Sequence, residues 1–159
     1  MAKARVIPDL RGTDAFREAA AKAVAVRADE LWEHADNVLD VGDTERVHDM
    51  RVATRRLRAV LEIFGPCFPR KTHGAVLDDV KSLADALGER RDPDVQIEDL
   101  EAYAEAVPEA DRPGIEVLVA RLRAHQAGAN AELAMALAEI ERRDLRGRVL
   151  ALVEEARTA

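Results

Sequence analysis

Aromatic residues are scarce in this chain: one Trp, one Tyr and three Phe amount to 3% of 159 residues. A buried core therefore has to be assembled from Ala, Leu and Val, and base stacking along a nucleic acid has too few platforms. A single cysteine, Cys67, excludes an intramolecular disulfide and fits a reducing compartment. No apolar run approaches the roughly 20 residues that cross a bilayer, and the N-terminal MAKARVIPDLRG lacks the apolar stretch of a signal peptide. A cytoplasmic protein is the expectation. Positive charge is in deficit too, with 24 Lys and Arg against 31 Asp and Glu, a net charge of −7. The molecule as a whole should not coat specific DNA or an acidic membrane, so any anion binding has to be local.

What the chain does hold is helix-forming: Ala, Glu, Arg and Leu dominate, and the glycines and prolines fall mostly between periodic stretches. Residues 1–12 read as an N-terminal arm, and residues 13–159 as a single helical domain. Thr13 is placed to cap a first helix running to about Leu39, with Ala20, Val24, Ala28, Leu31, Ala35 and Val38 on one face. Thr44 is placed to cap a second helix over 45–64, which Gly65, Pro66 and Pro69 terminate. A third helix is expected over 72–88, followed by a turn at ERRDPD and a shorter helix to about Ala106. Beyond the loop VPEADRPG, a fourth long helix starts near Gly114. Its buried stripe is Ile115, Leu118, Leu122, Ala129, Leu133, Ala136 and Ile140. A short helix over 145–157 closes the chain. With no period-two alternation anywhere, the fold class is all-α, an antiparallel four-helix bundle with additional short helices.

One segment stands apart. VHDMRVATRRLRAVLEIFGP, residues 47–66, carries one histidine and four arginines ahead of an apolar end. On a helical wheel with His48 at zero, Arg51, Arg55 and Arg58 fall at roughly −60°, −20° and −80°. Met50, Ala53, Leu57, Val60, Leu61 and Phe64 gather opposite, and Arg56 falls to the side at roughly +80°. The row from His48 to Arg58 is a ladder about 15 Å long. Like charges at these spacings repel by about 0.2–0.5 kcal/mol per pair, so the row calls for acids from neighbouring helices or for a bound anion. A histidine among arginines loses proton affinity, which an approaching anion restores.

The segment resembles the signature of the CHAD family, the conserved histidine α-helical domain. A second stretch, LGERRDPDV at residues 87–95, resembles that family's Leu-Gly, Arg-Asp and Asp-Val hallmark. The resemblance implies non-catalytic binding of inorganic polyphosphate by a basic face of the bundle, with no cofactor and no metal. Carried over by position, the binding residues are His48, Arg51, Arg55 and Arg58, with Arg56 matching the motif but turned aside. Lys81 falls where the family often has a basic residue, and Arg91 matches the Arg-Asp. Asp85 departs from the pattern, which narrows the basic surface expected on the third helix. Family members have two four-helix units and this chain resembles the first, so a homodimer restoring the two-unit arrangement is expected. Polyphosphate granules and a CYTH-type phosphate-handling enzyme follow as a candidate location and partner. Asp92 is expected to cap the helix after the turn, and Asp94 to orient Arg91 or favour that helix terminus.

Other readings use the same residues. Glu45 and His48 have the Glu-x-x-His spacing of di-iron bundles, but no second such pair exists and the arginines would repel a dication. RNA binding by the ladder and a purely scaffolding bundle are the non-catalytic rivals. His34 and His125 lie on or beside apolar stripes, and His73 follows the start of the third helix; all three read as structural.

Overall fold

A computed structural model describes residues 3–158, so Met1 and Ala2 of the expected arm and the terminal Ala159 lie outside the described residues. Five helices follow in order: α1 (Phe16–Glu33), α2 (Thr44–Ile63), α3 (Arg70–Ala106), α4 (Arg112–Arg142) and α5 (Leu145–Thr158). Short 3₁₀ turns at Gly65–Cys67 and Glu109–Asp111 bracket α3, and no strand occurs among the described residues. None of these helices is long and apolar enough to cross a membrane.

The core follows the helical periodicity. α1 contributes Ala20, Ala21, Val24, Ala28 and Leu31, and α2 contributes Val47, Met50, Ala53, Leu57 and Leu61. Val76, Val80, Leu83 and Leu87 of α3 meet Leu145, Val149, Leu152 and Val153 of α5 in the same cluster. Small and branched side chains do most of this filling, as the shortage of aromatics requires. Thr54 is also fully buried in α2, and its hydroxyl donates to the Met50 carbonyl at 2.8 Å, so no polar atom is stranded there. At the end of α2 the ring of His73 reaches back and its Nε2 donates to the Leu61 carbonyl at 2.8 Å. That bond satisfies one of the helix's otherwise orphaned acceptors. Phe68 stacks on the same ring.

Helix α1 is shorter than expected. It stops at Glu33, and the chain turns through Asn37, whose φ of 57° lies in the left-handed region. Asparagine tolerates that conformation, so the turn costs little there. Val38 still packs into the core from this turn. Neither Thr13 nor Thr44 caps a helix: the N-cap positions are Ala15 and Asp43, and no side chain caps either helix. The Thr44 hydroxyl donates to Glu98 of α3 instead, at 2.7 Å.

The largest departure is the ERRDPD segment, which is helix rather than turn. α3 runs unbroken for 37 residues with Pro93 inside it. An interior proline removes one hydrogen bond and costs about 3 kcal/mol, so something must hold the helix through this point. The support is α4, which packs antiparallel along α3, as contacts of Arg90 with Asn130 and of Glu101 with Arg123 show. Buried positions 76, 80, 83, 87, 90, 94 and 97 of α3 step by three and four, so the seam continues across Pro93. Asp92 is consequently a mid-helix residue and caps nothing.

Two positions of that seam are charged. Arg90 and Asp94 are fully buried and paired with each other. The Arg90 Nε donates to Asn130 Oδ1 at 2.9 Å, and Gln126 Nε2 donates to Asp94 Oδ1 at 2.6 Å. Asn130 in turn donates to the Leu39 carbonyl at 3.1 Å, tying the α1–α2 connection to the hairpin. A polar layer of this kind defines which residues of two packed helices stand opposite each other.

Helix α4 is the least buried of the long helices. Only Ala129, Leu133 and Ile140 of its expected stripe are buried, whereas Ile115, Leu122 and Ala136 are half-covered and Leu118 is exposed. The reason is geometric: α4 packs mainly along α3, and only its later half reaches the common core. The four helices that share this core most fully are therefore α1, α2, the first half of α3, and α5.

Residues 3–12 lie along α1. Lys22 Nζ donates to the Asp9 carbonyl at 2.8 Å, Arg27 donates to the Arg5 carbonyl at 3.1 Å, and Arg5 pairs with Glu33. Glu30 is buried beneath this segment. Burial pushes its carboxyl up, but the Arg5 N–H and the Arg27 guanidinium, aided by the charge of Arg56, outweigh burial and hold it below the ordinary value.

Candidate functional site

Helices α2 and α3 are antiparallel neighbours, with Thr44 beside Glu98 at one end and Leu61 beside His73 at the other. Between them runs an open groove of about 500 Å³. Arg51, Arg55 and Arg58 of α2 form one wall, and Asp85, Glu89 and Asp92 of α3 form the other, with Ala84 and Gly88 completing the lining. The small residues matter locally, because long side chains at 84 and 88 would occupy the space between the walls.

The arginine wall exists because α2 has two faces. Met50, Ala53, Leu57 and Leu61 are fully buried, and the residues at i, i+4 and i+7 from Arg51 must then point away from the core. Arg58 is engaged by Glu62 one turn on, with Nε to Oε1 at 2.9 Å. Among the described residues, Arg51 and Arg55 make no hydrogen bond or ion pair with any side chain, including the carboxylates across the groove. Guanidinium groups in this state offer their forked donors to a ligand carrying oxyanions.

The remaining residues singled out by sequence sit around this groove rather than in its lining. His48 is half-buried one turn before Arg51. Lys81 is half-buried one turn before Asp85 on α3. Arg56 is turned toward α1, where its charge helps to hold Glu30 ionised. Arg91 is mostly covered, at 3.9 Å from Asp94 and 3.5 Å from Glu98, and Glu98 also accepts the Thr44 hydroxyl. Arg91 thus joins the links between α3 and the start of α2. The structure thereby brings Arg51, Arg55 and Arg58 together and leaves His48, Lys81, Arg56 and Arg91 outside the groove lining.

Sequence reasoning missed Glu89 and Asp92 as groove residues and Arg90 as the buried partner of Asp94. The i, i+4, i+7 repeat of Asp85, Glu89 and Asp92 was a usable signal, provided α3 was taken as continuous through Pro93. Among the described residues, no three His, Cys, Asp or Glu side chains converge closely enough to hold a metal ion, so Glu45 and His48 lack completing ligands.

The CHAD domain family model matches residues 22–159, which take in the groove, the His48 segment and the second motif on α3. The chain belongs to the CHAD family. An uncharacterised protein of Mycobacterium tuberculosis, Rv2226, is 37% identical over 65 residues, covering 41% of this chain and 12% of that protein. This chain therefore spans a small part of that relative's length. The segment laid along α1 at residues 3–12 precedes the residues that the CHAD model matches.

Proposed function

We propose that this CHAD domain binds inorganic polyphosphate, without catalysis, along the α2 wall of the groove. The observation that carries the reading is the row of Arg51, Arg55 and Arg58 on an open groove, two of them without a partner among the described residues. A phosphate polymer has repeating charge and no bases, so its recognition is electrostatic and geometric. Arginine suits the task because its planar fork fits phosphate oxygens and it stays charged at any working pH. Spaced guanidinium groups engage successive phosphates, and counterions released from the polymer add affinity that falls as salt rises. His48, one turn from Arg51, extends the row, and Lys81 and Arg91 lend longer-range positive potential at its two ends.

The test is binding of long-chain polyphosphate to the wild type and to Arg51→Glu/Arg55→Glu at several salt concentrations. A steep salt dependence and a loss of about a hundredfold at low salt are expected, since two charge-assisted contacts become repulsive. Equal binding by both proteins would remove the assignment. RNA of matched charge serves as competitor, and efficient displacement of polyphosphate by RNA would favour the nucleic-acid reading. In the same proposal a second copy packs against α4, covering Leu118, Val117 and Met135, which are 46%, 55% and 59% exposed. A monomer mass by light scattering at working concentration would exclude it.

A further inference from the structure

The second wall of the groove has no place in the reading above. A site built only to attract a polyanion would not set carboxylates opposite its arginines, yet Asp85, Glu89 and Asp92 face Arg51, Arg55 and Arg58. The two rows have the same spacing, i, i+4 and i+7, so each extends about 10 Å on its own helix. Because the helices run antiparallel, the two rows run in opposite directions along the groove, with Asp92 the acid nearest the Arg51 end and Asp85 the acid nearest the Arg58 end. All three carboxylates are exposed and none forms a hydrogen bond or ion pair among the described residues. They are not structural staples of the kind that Asp79 provides, which binds Arg143 and Arg148 at 2.5 and 2.6 Å.

We propose that Asp85, Glu89 and Asp92 form a counter-row that weakens each phosphate contact with the arginines and thereby sets the minimum length of polyanion the groove retains. The inference rests on the polyphosphate reading and concerns the selectivity of that same groove. Each phosphate lying along α2 is attracted by one wall and repelled by the other, so its net gain is small. A short chain gathers too few such gains to offset the freedom it loses on binding. A long chain offers the same three rungs many overlapping registers, and its denser counterion atmosphere adds release on binding, so it is retained where a short one is not. The counter-row thus excludes short anions such as tripolyphosphate while long polymers still bind. Its other effect is on the empty groove, where it reduces the mutual repulsion of the arginines.

The experiment compares three folded proteins: wild type, Asp85→Asn/Glu89→Gln/Asp92→Asn, and a control, Glu105→Gln/Glu109→Gln/Glu116→Gln. The control changes net charge equally at exposed acids outside the groove lining. Affinities for long-chain polyphosphate and for tripolyphosphate are measured by calorimetry, with circular dichroism as the check on folding. The groove variant should gain about tenfold for the long chain, and tripolyphosphate, silent with wild type, should become a measurable ligand. An equal gain in the control would overturn the proposal, because net charge alone would then explain it. Unchanged affinity in the groove variant would overturn it as well, and so would weaker binding, which would make the carboxylates part of the attraction. Should the groove variant lose its fold, Glu89→Gln alone carries the test, with a smaller gain expected and the same outcomes decisive. Loss of binding in Arg51→Glu/Arg55→Glu with no gain in the groove variant would sink only the counter-row. Binding that is indifferent to Arg51 and Arg55 would sink the polyphosphate reading itself.

Discussion

The groove and the polar layer beneath it are built from the same residue type and differ in what completes it. Arg90 lies fully inside the α3–α4 seam, paired with Asp94 and bonded to Asn130. Arg51 and Arg55, one helix away, have no partner among the described residues and open onto the groove. A buried guanidinium cannot be left unpaired, so its partners came with it into the core. An exposed one keeps its hydration and can remain available. Arginine content alone therefore says little about ligand binding, and the discriminating quantity is whether the charge is already matched inside the fold.

The comparison breaks most visibly if the buried pair is split. Asp94→Ala leaves Arg90 uncompensated and should lower stability by about 3–5 kcal/mol, read as a fall in Tm or in the denaturation midpoint. Arg51→Ala/Arg55→Ala should shift stability by no more than about 0.5 kcal/mol, in either direction, because surface charges are removed along with their mutual repulsion. A large destabilisation there would mean that the arginines are structural after all. Replacing the pair together, Arg90→Met/Asp94→Leu, should cost less than Asp94→Ala alone, because no unmatched charge is left in the seam. The outcome is measured by the same unfolding curve.

A subtler contrast concerns acid. Glu30 is buried and its carboxyl is held below the ordinary glutamate value despite burial, by the Arg5 N–H and Arg27. A carboxylate depressed in the folded state stabilises the fold above its unfolded pKa, and that contribution disappears as pH falls through its folded pKa. The Tm difference between wild type and Glu30→Gln should therefore be largest near neutrality and shrink below the ordinary carboxylate range.

Much of the groove's basic wall is legible in the residue string. The division of α2 into an apolar face (Met50, Ala53, Leu57, Leu61) and a cationic one (Arg51, Arg55, Arg58) is a matter of local spacing, and the fold preserves it. The second motif was read less well. Pro93 between Asp92 and Asp94 points to a turn, and the motif match draws attention to Arg91 rather than Arg90. The helix instead passes through, and the neighbouring Arg90 is the one drawn into the interior. Local propensity lost here to tertiary packing, since the seam with α4 spans the proline. The exposed side of α4 was overestimated as core for a related reason. Ile115, Leu118 and Leu122 have helical spacing, but spacing cannot tell how many neighbours a helix has.

From the residue string alone came the all-helical class, the CHAD resemblance and the sidedness of α2, because each depends on periodicity within about one to five turns of chain. Which surface confronts that cationic face was decided by three-dimensional packing. The acids at 85, 89 and 92 line one wall because α3 stays helical through ERRDPD and runs antiparallel to α2. That continuity is supported by α4, whose Gln126 and Asn130 join the buried Arg90–Asp94 pair from some 30 to 40 residues away along the chain.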